Sequence, residues 1–478
     1  MKKQINIYIS LFFFTLAVLG CSDDFLNDPT PTADVSKDII FDSRESAETL
    51  LTGIHRNFRD QFLSDVTTSQ EIGGVYAIYM ARTLKGNDFI QRDTWYANDY
   101  DNNNRDASST RVRFSWEFPY YLINQVNTLI NGVTESTIAE SDKKELIAQG
   151  KAIRAFFYFQ LAMEFQHTYS YDSSLPAPPI YTELSLVGKP MSTLGELYDF
   201  IIDDLQVATA DLDETRLRKS YINKQVAAGV LARVYLVTEN WVGAKDAAII
   251  AYGGDPSTVL DAGSYGNGFD AISNIEWIWG NPQTKSQTNS FYLAPHAFTD
   301  FNNPSWNATF VNTSFAALFS NTDVRKLFEN PYEDTVPEDW EHVSTTKFAF
   351  AVGSDIPLMR TAEMILIEAE AKHRLLDPTA HDLLFALQSN RDPSAVKSSN
   401  TGAALLEEIL VERRKELYAE IGVEWFDAKR LRRAIPRTGN HRLLNSDLAA
   451  DDKKFFLKIP QREIDANDNI DASVNNGR

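Results

Sequence analysis

Residues 142–166, Asp142-Lys-Lys-Glu-Leu-Ile-Ala-Gln-Gly-Lys-Ala-Ile-Arg-Ala-Phe-Phe-Tyr-Phe-Gln-Leu-Ala-Met-Glu-Phe-Gln166, carry the pattern that sets the architecture. Leu146, Gly150, Ile153, Phe157 and Leu161 recur at spacings of three and four, so they share one helical face. Phe156, Phe159 and Met163 widen that face, which predicts a helix buried between neighbours. Asp142, with Glu145 three residues on, suits a capping box.

Outward from this stretch, further helices are expected over Ser43–Phe62, Thr193–Leu212, Asn223–Glu239 and Val242–Tyr252. Ala227, Ala228, Gly229 and Ala232 are small enough to let another helix approach closely. Residues 70–118 hold Gly, Asn and Asp clusters with little periodicity and read as mostly loop. After Gly253-Gly254 the character changes. Gly263-Ser-Tyr-Gly266-Asn-Gly268 is turn chemistry, Ile275-Glu-Trp277-Ile-Trp279 reads as a short strand, and residues 280–312 are polar and aromatic. Helices are expected again at Leu358–Leu376, Ala403–Ala419 and Trp425–Arg433, before an irregular tail from Phe455. Helix pairs of this length joined by short turns resemble tetratricopeptide repeats. The expected fold is mainly α: a helical-repeat region over 43–252 and a loop-rich half with few short strands over 253–478.

At the start, Lys2 and Lys3 precede an apolar run from Ile5 to Leu19 that ends in Val18-Leu19-Gly20-Cys21. This is the form of a secretory signal over residues 1–20, too short to span a bilayer comfortably, which takes about 20 apolar residues. Leu-Gly before the single cysteine of the chain resembles the lipobox of bacterial lipoproteins, in which the thiol is acylated and becomes the new N-terminus. Cys21 is therefore the expected lipidation site, with residues 21–42 as a polar, Pro-containing tether. Each buried CH₂ adds about 0.8 kcal/mol, so several acyl chains hold firmly. Ser22-Asp23-Asp24 resembles the surface-export signal of some Gram-negative lipoproteins. The alternative is an ordinary secretory leader with a chance cysteine.

A hydrophobic content of 43% and an aromatic content of 12% support a sizeable core. The net charge of −20 argues against nucleic-acid binding and against adsorption to anionic lipid through the protein surface. It says little about neutral ligands such as sugars. The sequence holds no Gly-rich phosphate loop, no G-x-S-x-G and no zinc-type histidine pair, and its seven histidines are scattered. No catalytic residue, metal or cofactor is expected. Asp99-Tyr-Asp101-Asn-Asn103-Asn104 resembles the start of a calcium loop, but the twelfth position is Thr110 instead of the bidentate Glu, so a polar loop is expected, with a calcium site as the lesser alternative.

Six stretches in order resemble the SusD/RagB family of outer-membrane nutrient-binding lipoproteins. They are Cys21-Ser-Asp-Asp-Phe25-Leu26-Asn-Asp-Pro29; Gly150-Lys-Ala-Ile-Arg154-Ala155-Phe-Phe-Tyr158-Phe with Pro176-Ala-Pro-Pro179; and Gln225-Val-Ala-Ala228-Gly-Val-Leu-Ala232-Arg233-Val-Tyr235-Leu. Then come Met359-Arg360-Thr-Ala362-Glu363 through Ala371; Glu412-Arg413-Arg414-Lys-Glu416-Leu417 with Glu424-Trp425-Phe-Asp427 and Arg430; and Ile459-Pro460-Gln-Arg-Glu463 with Asn467. Glu424 stands where the family often has Arg, and Asp468 where it often has Pro. Read for themselves, Glu412, Arg413, Arg414 and Glu416 suit i,i+3 and i,i+4 pairing on a helix, as do Arg360 and Glu363.

The resemblance implies a lipid-anchored outer-membrane protein facing the cell surface. It also implies an oligosaccharide or polysaccharide ligand held without covalent chemistry, and partnership with a SusC-like TonB-dependent transporter. Sugars present apolar faces to Trp or Tyr and hydroxyls to Asn, Asp, Gln or Arg. Two clusters outside the expected helices offer this mixture, one around residues 92–99 and one spanning Trp277 to Trp306. The candidate ligand-binding residues are Arg92, Trp95, Tyr96, Asn98, Asp99, Trp279, Tyr292 and Trp306. Against this, Trp277 or Trp279 could equally pack beneath the loops. Trp116, Trp241 and Trp425 are expected in the core, and Trp340, amid acidic residues, reads as a surface anchor without a ligand. Three other readings stay open: a RagB-like peptide binder, a glycoside hydrolase with carboxylates about 5–9.5 Å apart, and a helical-repeat assembly scaffold.

Overall fold

The computed structural model describes residues 40–59, 72–94, 96–284, 309–332, 338–348, 351 and 353–478. Cys21, Trp95, Tyr292 and Trp306 lie outside the described residues. In chain order the elements are α1 (Arg44–Asn57), α2 (Gly74–Leu84), β1 (Phe89–Gln91), α3 (Ala97–Tyr100), α4 (Thr110–Glu135), α5 (Glu140–Phe165), β2 (Pro176–Ala177), β3 (Ser192–Thr193), α6 (Leu194–Asp211), α7 (Lys224–Val237) and α8 (Trp241–Tyr252). There follow β4 (Trp277–Asn281), β5 (Thr309–Val311), α9 (Thr313–Ala316), β6 (Phe328–Glu329), β7 (Ser344–Thr345), β8 (Ile356–Arg360), α10 (Thr361–Arg374), α11 (Ala380–Arg391), α12 (Gly402–Leu417), α13 (Val423–Arg430) and α14 (Gln461–Ala466). The fold is mainly helical, with paired strands of two to five residues.

Each helix from α4 to α8 packs on the next, and α8 packs on α10. The apolar face of α5 is buried as its periodicity requires, and residues 152–165 are buried on every side. Its start differs from expectation. Ala139 is the N-cap and no side chain caps the helix. Asp142 and Glu145 instead accept bonds from Arg44 of α1 at 2.5 and 2.8 Å. The capping box that does form is on α6, where Thr193 and Glu196 satisfy each other's backbone N–H groups.

Residues 70–118, expected as loop, contain all of α2 and the first turns of α4. Every residue of α2 is buried, and a helix apolar all round leaves no periodicity to read. Helix α11 was not expected either, and the helix expected from Leu358 begins at Thr361, because Ile356–Arg360 pairs with β4 as a strand.

The charged motif residues join elements instead of decorating one helix. Arg154 of α5 donates to Asp204 of α6 at 2.7 and 3.0 Å and to Asn127 of α4 at 2.9 Å. Arg233 of α7 forks onto Glu363 of α10 at 2.7 and 2.6 Å. Arg360 does not pair with Glu363. It reaches Glu416 at 2.9 Å, Glu420 at 2.8 Å and Glu276. Arg413 and Arg430 share Asp427 at 2.8 and 2.7 Å, and Arg430 also holds Glu370 of α10 at 2.5 Å.

Glycine positions mark the close approaches. A Cβ on Gly229 would meet Met359 of β8 at 2.2 Å and Ala251 of α8 at 3.4 Å, which is the crowding the small residues of α7 suggested. Gly422, the N-cap of α13, has φ +71, and a Cβ there would lie 2.3 Å from the Arg82 side chain of α2.

Candidate functional site

The loop-rich face is organised by the antiparallel ladder of β1 and β5, in which Gln91 lies opposite Thr309 and their side chains bond at 2.6 Å. Arg92 leaves the end of this ladder. Its Nε and Nη2 donate to the two Glu341 oxygens at 2.9 and 2.6 Å, and Nη2 also reaches the Tyr332 hydroxyl at 2.5 Å. Tyr332 in turn donates to Glu341 at 2.6 Å. Burial, reinforced by the Glu341 carboxylate, pushes the Tyr332 phenol up to about 12, so it stays a donor. The Arg92 guanidinium lies 5.2 Å from the Phe310 ring centre, and Phe310 meets Trp340 edge-on at 5.6 Å. Arg442 lies 4.8 Å from the Trp340 ring centre and donates to Asp93 at 2.6 Å. Asp93 is exposed, and Trp340 is half-buried.

The result is a pair of aromatic rings with a guanidinium beside each, in which the Glu341 carboxylate is buried and taken up by Arg92 and Tyr332 while Asp93 is exposed. Such a surface offers an apolar patch for C–H faces and charged hydrogen-bonding groups for hydroxyls. Among the described residues, no group of three or more His, Cys, Asp or Glu side chains could hold a metal ion.

Of the candidates named from sequence, Arg92 belongs to this cluster, and Asn98 is exposed on α3. Three others are placed in the interior. Tyr96 is 1% exposed, beneath the Arg111 guanidinium. Asp99 is fully buried and accepts from Arg111 at 3.0 and 3.2 Å, so its carboxylate holds α3 to α4. Trp279 is 0% exposed, edge-on to Phe58 and Phe156 at 6.0 and 5.1 Å, with its indole N–H on the Ser220 carbonyl. None of these three offers a ring face or oxygen to a ligand in this structure. Trp279 is buried because β4 runs against the aromatic face of α5, and Tyr96 and Asp99 because α3 folds onto Arg111 of α4, neither of which a local run of residues reveals. Trp340 reads from sequence as a surface anchor without a ligand, and Tyr332, Glu341 and Arg442 were not named. They lie about 240–350 residues from Arg92 and Asp93 in sequence, so no local spacing announces them. The Asp339-Trp340-Glu341 run was the one available signal.

A second aromatic concavity of about 400 Å³ lies on the outer side of α4, with Trp116, Tyr120, Tyr121 and Tyr181 among its walls. Trp116 donates to Glu463 at 3.1 Å and Tyr120 to the Pro179 carbonyl at 2.7 Å. Tyr121 is 40% exposed.

Two family models match the chain: one described as starch-binding, associating with the outer membrane, over residues 34–236, and the SusD family model over residues 351–477. The chain belongs to the SusD/RagB family. A solved SusD-like carbohydrate binding protein from Bacteroides vulgatus superposes with a TM-score of 0.81 at 27% identity, covering 90% of this chain and 98% of that one. A SusD-like protein of Formosa agariphila is 24% identical over 92% of this chain and 94% of its own length. Another SusD-like protein, from Bacteroides ovatus, is 29% identical over 133 residues, 27% of this chain, and the match spans 22% of that relative. Within this SusD-family chain one departure noted in the sequence, Glu424, and one matching residue, Asn467, acquire roles. Glu424 accepts the backbone N–H groups of Asn87 and Asp88 at 2.6 and 3.0 Å. Asn467, ahead of Asp468, donates to the Lys189 carbonyl at 2.9 Å.

Proposed function

We propose that this chain is a lipid-anchored, surface-facing glycan-binding protein that captures oligosaccharides and delivers them to a SusC-like TonB-dependent transporter. Family membership supports the ligand class, as does the solved relative described as carbohydrate binding. The observation that carries the reading is the Trp340 ring, held between Phe310 and Arg442 at the end of the β1–β5 ladder. Trp95, Tyr292 and Trp306 are proposed to join it in gripping the ligand, Arg92 and Asn98 supplying hydrogen-bonding groups nearby. Acylation at Cys21 anchors the body. No helix among the described residues is long and apolar enough to cross a membrane. Binding alone accounts for this chemistry, without a catalytic step.

Calorimetric titration of the body cleaved after Cys21 with neutral oligosaccharides and with peptides tests the reading. Trp340→Ala, Trp95→Ala and Trp306→Ala should each weaken oligosaccharide binding about tenfold, roughly 1.4 kcal/mol, with little change in melting temperature. Saccharides recovered intact by mass spectrometry fit a binder, and shortened products would establish a hydrolase. Binding of peptides alone would move the chain to the RagB-like reading. Mass spectrometry of the membrane-extracted protein should find an acylated Cys21, and the transporter should co-purify with it.

A further inference from the structure

A cleft of about 500 Å³ opens between α1 and the connection that leads from α6 to α7. It shares no lining residue with the Trp340 cluster. Its walls carry Thr52, His55 and Arg56 from α1, and Arg218, Ser220 and Tyr221 from the connection. In a chain of net charge −20, this is a local concentration of positive charge. Arg56 and Arg218 are both exposed, and neither forms an ion pair with a carboxylate among the described residues. Two further cations stand behind them. Arg216 donates only to backbone carbonyls, those of Lys219, Tyr221 and Ile278, and Lys219 donates to that of Asn274. With no carboxylate to offset burial, the Arg216 guanidinium is drawn down to about 10. Asp213 at the head of the connection is already occupied by the Thr215 N–H and hydroxyl.

The floor of the cleft is polar and unfinished. His55 is 7% exposed, its ring 4.8 Å from that of Tyr221, and its Nε2 has no hydrogen-bond partner. Tyr221 and Thr52 bond to each other through their hydroxyls. A buried imidazole nitrogen left unpaired is destabilising, and a ligand hydroxyl would satisfy it. Guanidinium groups without partners favour oxyanions that present two oxygens to the fork, such as carboxylate and sulfate, and a positive cleft on an acidic body steers anions to itself.

We propose that this cleft binds the carboxylate or sulfate group of an acidic saccharide, with Arg56 and Arg218 on the anion and His55, Thr52 and Tyr221 facing the neighbouring sugar hydroxyls. The anion site follows from the charges alone. The saccharide rests on the function proposed above.

Calorimetric titration at low salt with inorganic sulfate, an oligogalacturonate and a neutral oligosaccharide of equal length tests both. The wild-type protein should bind the acidic oligomer at least about tenfold more tightly than the neutral one, with affinity falling as salt rises. The Arg56→Gln/Arg218→Gln variant should lose that preference and its salt dependence while keeping its melting temperature and its affinity for the neutral oligomer. Thr52→Val should weaken the acidic oligomer without changing the response to sulfate. Equal affinity for acidic and neutral oligomers overturns the site while leaving the glycan function standing, as does a preference that survives in the double variant. Sulfate binding without any saccharide binding overturns the saccharide class together with that function. Arginine-dependent binding to phosphatidylglycerol vesicles, with no acidic oligosaccharide bound, would reassign the cleft to a lipid headgroup.

Discussion

Arg360 sits at the centre of a buried network in which five cations (Arg325, Lys347, Arg360, Arg391 and Lys415) meet five carboxylates (Glu276, Asp323, Glu412, Glu416 and Glu420). Glu416 alone touches Arg325, Arg360 and Arg391 at 2.9–3.1 Å. Burial works to raise its pKa, and the three guanidinium groups outweigh that and hold it well below the usual carboxylate range. Removing one partner from such a network strands buried charge. Arg360→Met should therefore lower unfolding free energy by about 3–5 kcal/mol. Arg44→Ala, which breaks three partly exposed contacts to Glu48, Asp142 and Glu145, should cost about 1 kcal/mol or less. Chemical denaturation of both variants checks the contrast, and similar losses in the two would contradict it. The identity of these charged residues was legible in the sequence, but their partners were not. Arg360 and Glu363 have helical spacing, yet Arg360 turns to Glu416 and Glu420, 56 and 60 residues away. Trp279 shows the same limit: its residue type suited a binding platform, and only the packing of β4 on α5 put it indoors.

Among the elements, those with a one-sided pattern or a strong cap were readable. α6 and α7 start within a residue of expectation because Thr193 and Asn223 cap them. α2 was hidden because burial on all sides erases periodicity, and α4 carries Pro119 in its interior, which reads as a break. The joint between α2 and α13 depends on Gly422, where a left-handed backbone and the Arg82 side chain leave no room for a methyl group. Gly422→Ala should destabilise the protein by about 2 kcal/mol or more. Gly253→Ala, also left-handed but with open space around its Cβ, should cost only the backbone strain of about 1–2 kcal/mol. Thermal melts rank the pair, and a larger loss for Gly253→Ala would show that the α2–α13 contact yields easily.

For the molecule as a whole, stability should depend on pH through imidazoles kept neutral. Burial lowers His55 and His441 from 6.5 to about 3, Arg437 and Arg442 adding to the effect at His441, and burial lowers His167 to about 4. Between about pH 6.5 and 4 the unfolded chain binds protons at these sites and the folded chain does not, so stability falls as pH falls through that window. Asp88 acts in the opposite sense. Burial raises its carboxyl from 3.8 to about 7 despite Arg414, so its contribution is lost as pH rises towards 7. His373 is lowered as well, by burial, and burial also raises Asp101 and Asp355, so four imidazoles stand against three carboxyls. The large shifts at His55, His167 and His441 leave a net loss on acidification, about 1.4 kcal/mol for each of these three at roughly pH 5.5. Calorimetry should find a higher melting temperature near pH 7 than near pH 5, and His55→Gln should flatten the slope. A melting temperature that is flat or rises towards pH 5 would mean these rings are hydrated.

The ladder of β1 and β5 also fixes a sequence of events. Gln91 must wait for Thr309, 218 residues later, and Arg92 for Glu341, 249 residues later, whereas α4 and α5 are joined by four residues and can zip together early. Closing so long a span costs more chain entropy than joining α4 to α5, so the ladder is expected to pair after those helices. The ripening chain therefore has its helical spine before it has a face with which to hold a ligand.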